Sequence, residues 1–342
     1  MVMKTAYVGM SGGVDSSIAA MLLLEQGYRV VGVYMKNWSR DLPGMKCPWA
    51  EDLADAKRVA VKLGIDFEVW DFEEAYREKV VEYMLREFRA GNTPNPDVMC
   101  NQEIKFKLFY EKAMEAGADF IATGHYARVI DDKLARAVDE NKDQTYFLYR
   151  ISEESLAHTL FPIGGMLKPE VKKLAEERGL HNAYKKESMG VCFVGEVGMK
   201  DFLKEYIDVE PGEIREIESD RVLGYHEGAV FYTIGQRHGL YISGGLPYYV
   251  VKKDVKNNIV YVSKNLNNDE LWTDELRLSD VFLRSDFENK QLVARLRHRA
   301  PLIPVSFDGE VLHFEQKIKR PAAGQSAVIY DGEICLGGGI IA

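Results

Sequence analysis

Cysteine is scarce in this chain: Cys47, Cys100, Cys192 and Cys335 are the only four, widely dispersed and with no Cys-x-x-Cys pair among them. That excludes a secreted disulfide framework and a zinc ribbon, and leaves thiols that in a reducing cell are either buried or reactive. Long apolar runs are missing as well. The stretch from Ile18 to Leu24 is far too short to span a bilayer, and Met1 to Gly13 lacks the basic-then-apolar pattern of a signal peptide. A soluble, cytoplasmic protein is expected. Nor is there an excess of positive charge, since 44 Lys and Arg stand against 53 Asp and Glu for a net charge of −9. A polycationic coat for nucleic acid is excluded, so any such contact must be local. No repeat or low-complexity segment is present. What remains is an ordinary globular composition, 46% hydrophobic over 342 residues, enough for two or three domains of roughly 150 residues or fewer.

From Lys4 to Gly124, short β-branched or aromatic runs alternate with longer segments of helical period, the signature of a parallel sheet covered by helices. Strands are expected at 6–10, 29–36, 67–72 and 119–123, and helices at 16–26, 50–63, 73–89 and 99–116. In the second helix Leu53, Ala56, Val59, Ala60 and Leu63 form one apolar face. A hairpin over 126–138 should turn at Asp131 and Asp132, and a helix over 169–178 should stop at Gly179. Beyond Pro211-Gly212 the texture changes to short strands and turns rich in Gly, Asn and Asp, with strands expected at 229–233, 248–251 and 259–262. From Leu271, runs at 292–296, 311–315, 326–329 and 334–340 predict a compact β-barrel. The expected fold is therefore α/β, a doubly wound parallel sheet over 1–208, followed by a small β-rich central domain over 209–270 and a C-terminal β-barrel over 271–342.

The sharpest chemical signal is Gly9-Met10-Ser11-Gly12-Gly13-Val14-Asp15-Ser16-Ser17, set between a predicted strand and a predicted helix. Gly12 and Gly13 can take conformations closed to other residues and bring backbone amides to an anion, while the serines add hydroxyls at the positive end of a helix. The Lys-Ser/Thr pair of a Walker loop is missing, so cleavage between the α- and β-phosphates fits better than γ-phosphate transfer. Ser-Gly-Gly-Val-Asp-Ser resembles the loop of ATP pyrophosphatases, of the adenine nucleotide alpha hydrolase-like fold. These enzymes bind ATP, release pyrophosphate and adenylate a substrate.

A second signal is Asn95-Pro96-Asp97-Val98-Met99-Cys100-Asn101, a stiff loop leading into a helix. With Asp97 as N-cap, Cys100 would fall in the first turn, where unpaired amides favour a thiolate, opposed by the nearby carboxylate. Cys192 lies in Lys185-Lys186-Glu187-Ser188-Met189-Gly190-Val191-Cys192-Phe193, and by itself reads more readily as a small buried hydrophobe than as a reactive thiol. Cys47, before Pro48, and Cys335, in a predicted strand, read as packing.

These motifs, with Thr93-Pro94-Asn95-Pro96-Asp97, Ala122-Thr123-Gly124-His125-Tyr126 and Lys142-Asp143-Gln144-Thr145-Tyr146-Phe147-Leu148, resemble the tRNA-specific 2-thiouridylases along nearly the whole chain. The resemblance implies replacement of the C2 oxygen of the wobble uridine by sulfur. Cys192 would accept sulfur as a persulfide from a donor protein, and Cys100 would attack it or help release its sulfur. Asp97 would handle protons, and the two cysteines would end as a transient disulfide needing a reductant. Gly9 to Ser16, with Met35 and Gly124, would bind ATP, which is expected together with Mg2+. Asn95, Pro96, Asp97, His125, Lys142, Asp143, Gln144, Arg297, His298 and Gln325 would contact tRNA. At His298 many relatives of this type carry tyrosine. Related sulfur-transfer enzymes hold an iron–sulfur cluster on three cysteines, but Cys47, Cys100 and Cys192 lack compact ligand spacing, and no metal site is expected.

Local charge bears on the RNA expectation. Lys290, Arg295, Arg297 and Arg299 form a basic stretch without an acidic residue, and on a strand the three arginines would share one face. Two rivals stand beside thiolation: another ATP pyrophosphatase, such as a ligase or amidotransferase, and a non-catalytic RNA-binding protein. Dependence on both cysteines separates the first, and pyrophosphate release on adding tRNA the second.

Overall fold

Ala6 and Val8 are fully buried and Tyr7 nearly so, which makes Thr5–Gly9 (β1) apolar on both faces, as the middle strand of a covered parallel sheet must be. The computed structural model describes residues 3–41, 47–186, 198–242, 246–288 and 290–342. After β1 come α1 (Val14–Glu25), β2 (Arg29–Lys36), α2 (Trp49–Leu63), β3 (Asp66–Asp71), α3 (Glu73–Tyr76), a π-helical turn at Arg77–Val81, and α4 (Glu82–Arg89). Next are α5 (Pro96–Met99), a π-helical segment at Cys100–Leu108, α6 (Phe109–Glu115), β4 (Phe120–Thr123), β5 (Ala127–Ile130) and β6 (Lys133–Arg136). Then follow α7 (Thr145–Leu148), α8 (Glu153–Ala157), β7 (Thr159–Leu160) and α9 (Lys168–Glu177).

The chain divides into two compact units, the first made of Met1–Val81, Pro96–Gly198 and Glu333–Leu336 and the second of the remainder. In the first, the strands order as β3-β2-β1-β4-β7, all pairs parallel. Helix α1 is apolar nearly all round because it is covered on two sides. Ala20 and Leu23 pack on the sheet with Ala6, Val8 and Val30, while Ile18 and Met21 meet Val171 and Ala175 of α9. Each such fully buried Ile or Leu stabilises by roughly 1.5–3 kcal/mol relative to exposure. Helix α2 turns Ala56, Val59 and Ala60 inward, and Gly64 ends it in the left-handed region at φ 67°. The hairpin turns at Asp131 and Asp132, both at positive φ, between β5 and β6. The edge strand β3 exposes Asp66, Glu68 and Asp71, charges that discourage further pairing.

The second unit contains α10 (Met199–Lys204), β8 (Gly212–Glu216), β9 (Val222–His226), β10 (Tyr249–Asp254) and β11 (Ile259–Ser263), the strands ordered β10-β11-β8-β9 around Ile214, Val250, Val260 and Val262. The strand expected at 229–233 is instead a 3-10 turn, Ala229–Phe231, closed by bonds from Phe231 N to Gly228 O and from Tyr232 N to Ala229 O. An apolar run without alternation fits a buried turn as well as a strand. The remaining strands are β12 (Trp272–Leu283), β13 (Leu292–Arg295), β14 (Ile303–Pro304), β15 (Ser306–Phe307), β16 (Val311–Lys319), β17 (Ser326–Asp331) and β18 (Ile334–Ile341), ordered β14-β13-β17-β18-β12-β16-β15. The two end strands are separated in sequence by Val305 alone, so this sheet must curl until its edges meet, a near-closed barrel. β12 is unanticipated, its alternation hidden by Asp274, Glu275, Arg277 and Asp280.

The row of three arginines does not form. β13 ends at Arg295, which is buried under the ring of Tyr330, while Arg297 and Arg299 lie exposed in a turn with Arg299 at φ 62°. Side chains share a face only as long as the ladder continues.

Gly124, directly after β4, packs against the start of α1, where an added Cβ would lie 2.6 Å from Ser16 N and 2.7 Å from the Asp15 carbonyl carbon. Backbone cannot step aside as a side-chain tip can. Gly124→Ala should destabilise the protein by at least about 2 kcal/mol, read as a lowered urea midpoint.

Candidate active site

β1 and β4 are the neighbours at which the strand order reverses, with Gly9 paired to Thr123. Ligands of doubly wound sheets bind outside the carboxyl ends of strands at such a point. The glycine-serine loop leaves β1 there, and the turn 124–126 leaves β4 beside it. Gly12 takes φ 76° and has the Asp52 carbonyl of α2 behind it, where a Cβ would lie 2.3 Å from the oxygen. Gly13 then starts α1, and its carbonyl accepts from the Ser16 and Ser17 hydroxyls at 3.1 and 2.9 Å. Ser11 N donates to Ser16 Oγ at 3.2 Å. Met35, at the end of β2, lays its methyl group against Gly9, where a Cβ would come within 2.9 Å of it. The expected nucleotide residues Gly9, Met10, Ser11, Gly12, Gly13, Val14, Asp15, Ser16, Met35 and Gly124 thus lie at one end of the sheet.

Three residues around this loop escaped sequence reading. Lys168, at the start of α9 and nearly buried, reaches both carboxylate oxygens of Asp15 at 2.6 and 2.7 Å, and Tyr126 OH donates to the same carboxylate at 3.1 Å. Asn182, 2% exposed, donates to Gly12 O and Ser17 Oγ, both at 2.9 Å. Lys185 binds Asp52 and Asp55 of α2 at 2.7 and 2.6 Å. Burial alone would push the Lys185 ammonium down, but these two carboxylates hold it above its ordinary value. Burial likewise raises Asp55, and Lys185 with His181 more than offsets it, leaving that carboxyl below the usual range. Nothing in the sequence pattern says that a lysine so distant should reach Asp15. Because Asp15 is already ion-paired, it does not offer a ready Mg2+ ligand. Among the described residues no group of three His, Cys, Asp or Glu side chains could hold a metal ion.

The turn leaving β4 joins the loop to the second signal. Gly124 backs onto Ser16, Tyr126 reaches Asp15 through its hydroxyl and Gln144 Oε1 through its amide at 2.8 Å, and His125 turns to the helix that follows Asp97. The His125 ring is 9% exposed, with Nδ1 at 2.8 Å from Thr123 Oγ1 and Nε2 at 3.4 Å from Lys105 Nζ. Burial first, and the Lys105 charge second, hold it well below its ordinary value of 6.5. A neutral ring that accepts from the lysine at Nε2 carries its proton on Nδ1 and donates it to Thr123. As it stands, neither nitrogen faces solvent.

The helix expected to start after Asp97 starts earlier. Pro96 is its first residue, as suits a residue without an N–H, so Asp97 is not the N-cap and Cys100 lies past the four unpaired amides. Cys100, 2% exposed, opens the π-helical segment, a wider turn that is rare and concentrated at functional sites. Asn101 donates to Phe147 O at 3.1 Å, so this helix packs on α7 beside Lys142-Asp143-Gln144. Burial pushes the Asp97 carboxyl above its ordinary value, and Lys105 opposes it. Cys192 lies outside the described residues. Cys47 is buried with Sγ at 3.8 Å from Trp38 O, and burial pushes its thiol up. Cys335 is buried in β18.

Several residues expected at an RNA surface are engaged within the protein. Asp143, 1% exposed, accepts from Ala137 N and from the Thr145 hydroxyl, and Gln144 accepts from Tyr126. In the second unit, Gln325 Nε2 donates to Thr93 O at 2.7 Å, and Thr93 N donates to Ala323 O, so Gln325 holds the loop that leads to Asn95. His298 is half-buried and Arg297 exposed.

Comparison with known proteins places this geometry. Family models match the three parts of the chain: tRNA methyl transferase HUP domain over residues 4–196, tRNA methyl transferase PRC-barrel domain over 200–264, and aminomethyltransferase beta-barrel domain over 273–341. A tRNA-specific 2-thiouridylase MnmA 2 of Geobacillus kaustophilus is 46% identical over 98% of this chain and 93% of its own length. The tRNA-specific 2-thiouridylase MnmA of Bacillus subtilis is 45% identical over 98% of this chain and 94% of its own. The chain belongs to the tRNA-specific 2-thiouridylase family. A solved 4-thiouridine synthetase–RNA complex with bound ATP aligns over 54% of this chain and 43% of that one at 19% identity, with a TM-score of 0.39. In this member of the thiouridylase family the parallel sheet, the PRC-barrel region and the terminal barrel follow one another as the sequence suggested.

His125 supplies a pH test. Its folded-state pKa is depressed, so on acidification only the unfolded chain takes the proton, and stability present above about pH 6.5 is lost below it. The urea midpoint should fall between about pH 7.5 and about pH 5.5, and His125→Gln should remove that part of the slope while leaving the remainder.

Proposed function

We propose that this chain catalyses ATP-dependent 2-thiolation of the wobble uridine of tRNA. The observation that carries the proposal is the turn at 124–126, which ties the phosphate-type loop at the sheet switch point to the helix bearing Asp97 and Cys100, in a chain of the thiouridylase family. Oxide on a pyrimidine is a poor leaving group, whereas an adenylated oxygen departs as AMP. Backbone amides at the start of α1 bind the pyrophosphate portion of ATP, with Met35 and Gly124 on the adenine side, and the uridine C2 oxygen attacks the α-phosphorus as pyrophosphate leaves. Mg2+ bound together with ATP would offset the negative charge of the phosphates.

Sulfur enters as a persulfide on Cys192, delivered by a donor protein. Its outer sulfur attacks C2 and AMP leaves. Cys100 then attacks the inner sulfur of Cys192, which frees the thiolated base and leaves a Cys100–Cys192 disulfide, and a two-electron reductant restores the thiols. Separating activation from attack replaces one hard displacement by two easier ones. Asp97, its proton affinity raised by burial, is suited to exchange protons with the base or with Cys100. The tRNA is gripped at Asn95, Lys142, Arg297 and His298, with Pro96, Asp143, Gln144, His125 and Gln325 shaping the loops beneath. The matched family models speak of methyl transfer, but a methyl donor needs no phosphate cradle.

Reconstitution with ATP, unmodified tRNA and a persulfide donor tests the reading, with thiolated RNA and pyrophosphate measured together. Cys192→Ser should abolish persulfide loading. Cys100→Ser should load but deliver at least about 100-fold more slowly, and Asp97→Ala should release pyrophosphate without thiolation. Thiolation at normal rates by both cysteine variants would overturn the scheme. For RNA, Arg297→Ala should weaken tRNA binding, lower the slope of log affinity against log salt by about 0.7–0.9 and leave ATP affinity unchanged.

A further inference from the structure

We propose that Asn182 is a positioning residue of the phosphate cradle, holding from behind the peptide that presents its amide to pyrophosphate. The inference rests on the nucleotide reading above. The side-chain amide of Asn182 has two hydrogens, and both are used on the loop: one on Gly12 O and one on Ser17 Oγ, each at 2.9 Å. Ser17 Oγ passes its own proton to Gly13 O at 2.9 Å. Two consecutive loop carbonyls are thus drawn toward the protein interior.

In a trans peptide the C=O and N–H of one unit point in opposite directions. Fixing Gly12 O inward therefore turns Gly13 N–H outward, where it meets the hydroxyl of exposed Ser11 at 3.4 Å, a long contact that an anion can replace. Fixing Gly13 O does the same for Val14 N–H. Glycine at 12 and 13 could otherwise rotate these peptides freely, so the freedom that lets the backbone approach a phosphate needs an outside brace. Asn182 is held for this task by its neighbours: Leu180 and Ala183 are buried in the α1–α9 core, and His181 and Lys185 bind carboxylates of α2.

A second observation separates the brace from ordinary packing. Asn182 Oδ1 is buried and has no hydrogen-bond partner. A residue present only to fill this space would avoid an unmet acceptor, since apolar groups of similar size carry no such cost. The donor half of the amide is what the site uses.

The test compares binding of ATP and of adenosine to the full chain by calorimetry. Asn182→Asp keeps the shape but sets a carboxylate oxygen against Gly12 O. It should raise the Kd for ATP by about tenfold or more and leave that for adenosine within about twofold. Should it fail to fold, Asn182→Ala and Ser17→Ala, each removing one brace, are read in the same way and should show the same selective loss. ATP affinity unchanged in these variants, or lost in equal measure with adenosine, would overturn the proposal. A wild-type chain that binds neither ATP nor inorganic pyrophosphate would overturn the nucleotide reading itself, a failure distinct from that of the brace.

Discussion

The parallel register that sets Thr123 beside Gly9 is the constraint on which the site depends. Once β1 and β4 end at the same level, whatever follows each must share the space above the sheet. The first chain turns through Gly12 and Gly13 into α1, and the second must pass so close to that helix start that residue 124 can have no side chain. From this forced contact the next two residues diverge, His125 toward Lys105 and Tyr126 toward Asp15 and Gln144. One short turn thereby fixes the phosphate-type loop, the cysteine-bearing helix and the 142–144 segment in relation to one another, without any of them being close in sequence.

Polar groups within this arrangement are largely engaged by protein partners. Asp15 is held by a lysine and a tyrosine, Asp143 ties down its own turn, and Gln325 grips the backbone before Asn95. Such bonds matter because buried polar groups left unmet are costly, whereas met ones specify a single geometry. Residues expected to meet RNA directly are thus placed to act through loop shape. His125 is the clearest case, its imidazole neutral and internal, with the lysine beside it also lying near the carboxyl of Asp97.

Much of the first unit was legible beforehand. Alternation and helical period located β1 to β4, the β5–β6 hairpin, α1 to α6 and α9 to within a few residues, because each element's burial follows from its own sequence, whereas the short α7, α8 and β7 were not anticipated. Elements whose character depends on distant partners were harder. Ala229 to Phe231 is apolar enough for a strand but closes as a turn behind Gly228, and β12 hides its alternation under charges. Asp97 looked like an N-cap, yet Pro96 begins the helix, and a π-helical segment over 100–108 has no mark in composition.

The sequence alone determined the chemistry on offer: a glycine-serine loop between strand and helix, two cysteines in separate motifs, and a chain too acidic to coat nucleic acid. These are properties of residue type and short spacing, which survive without knowledge of the fold. Tertiary structure decided which of those groups meet. Lys168 and Asn182 come to a loop more than a hundred residues away, and Arg295 is withdrawn from the basic row, because packing of whole helices and the point where a ladder ends set such positions. No local pattern encodes those distances, since a long-range contact depends on every element lying between the two partners.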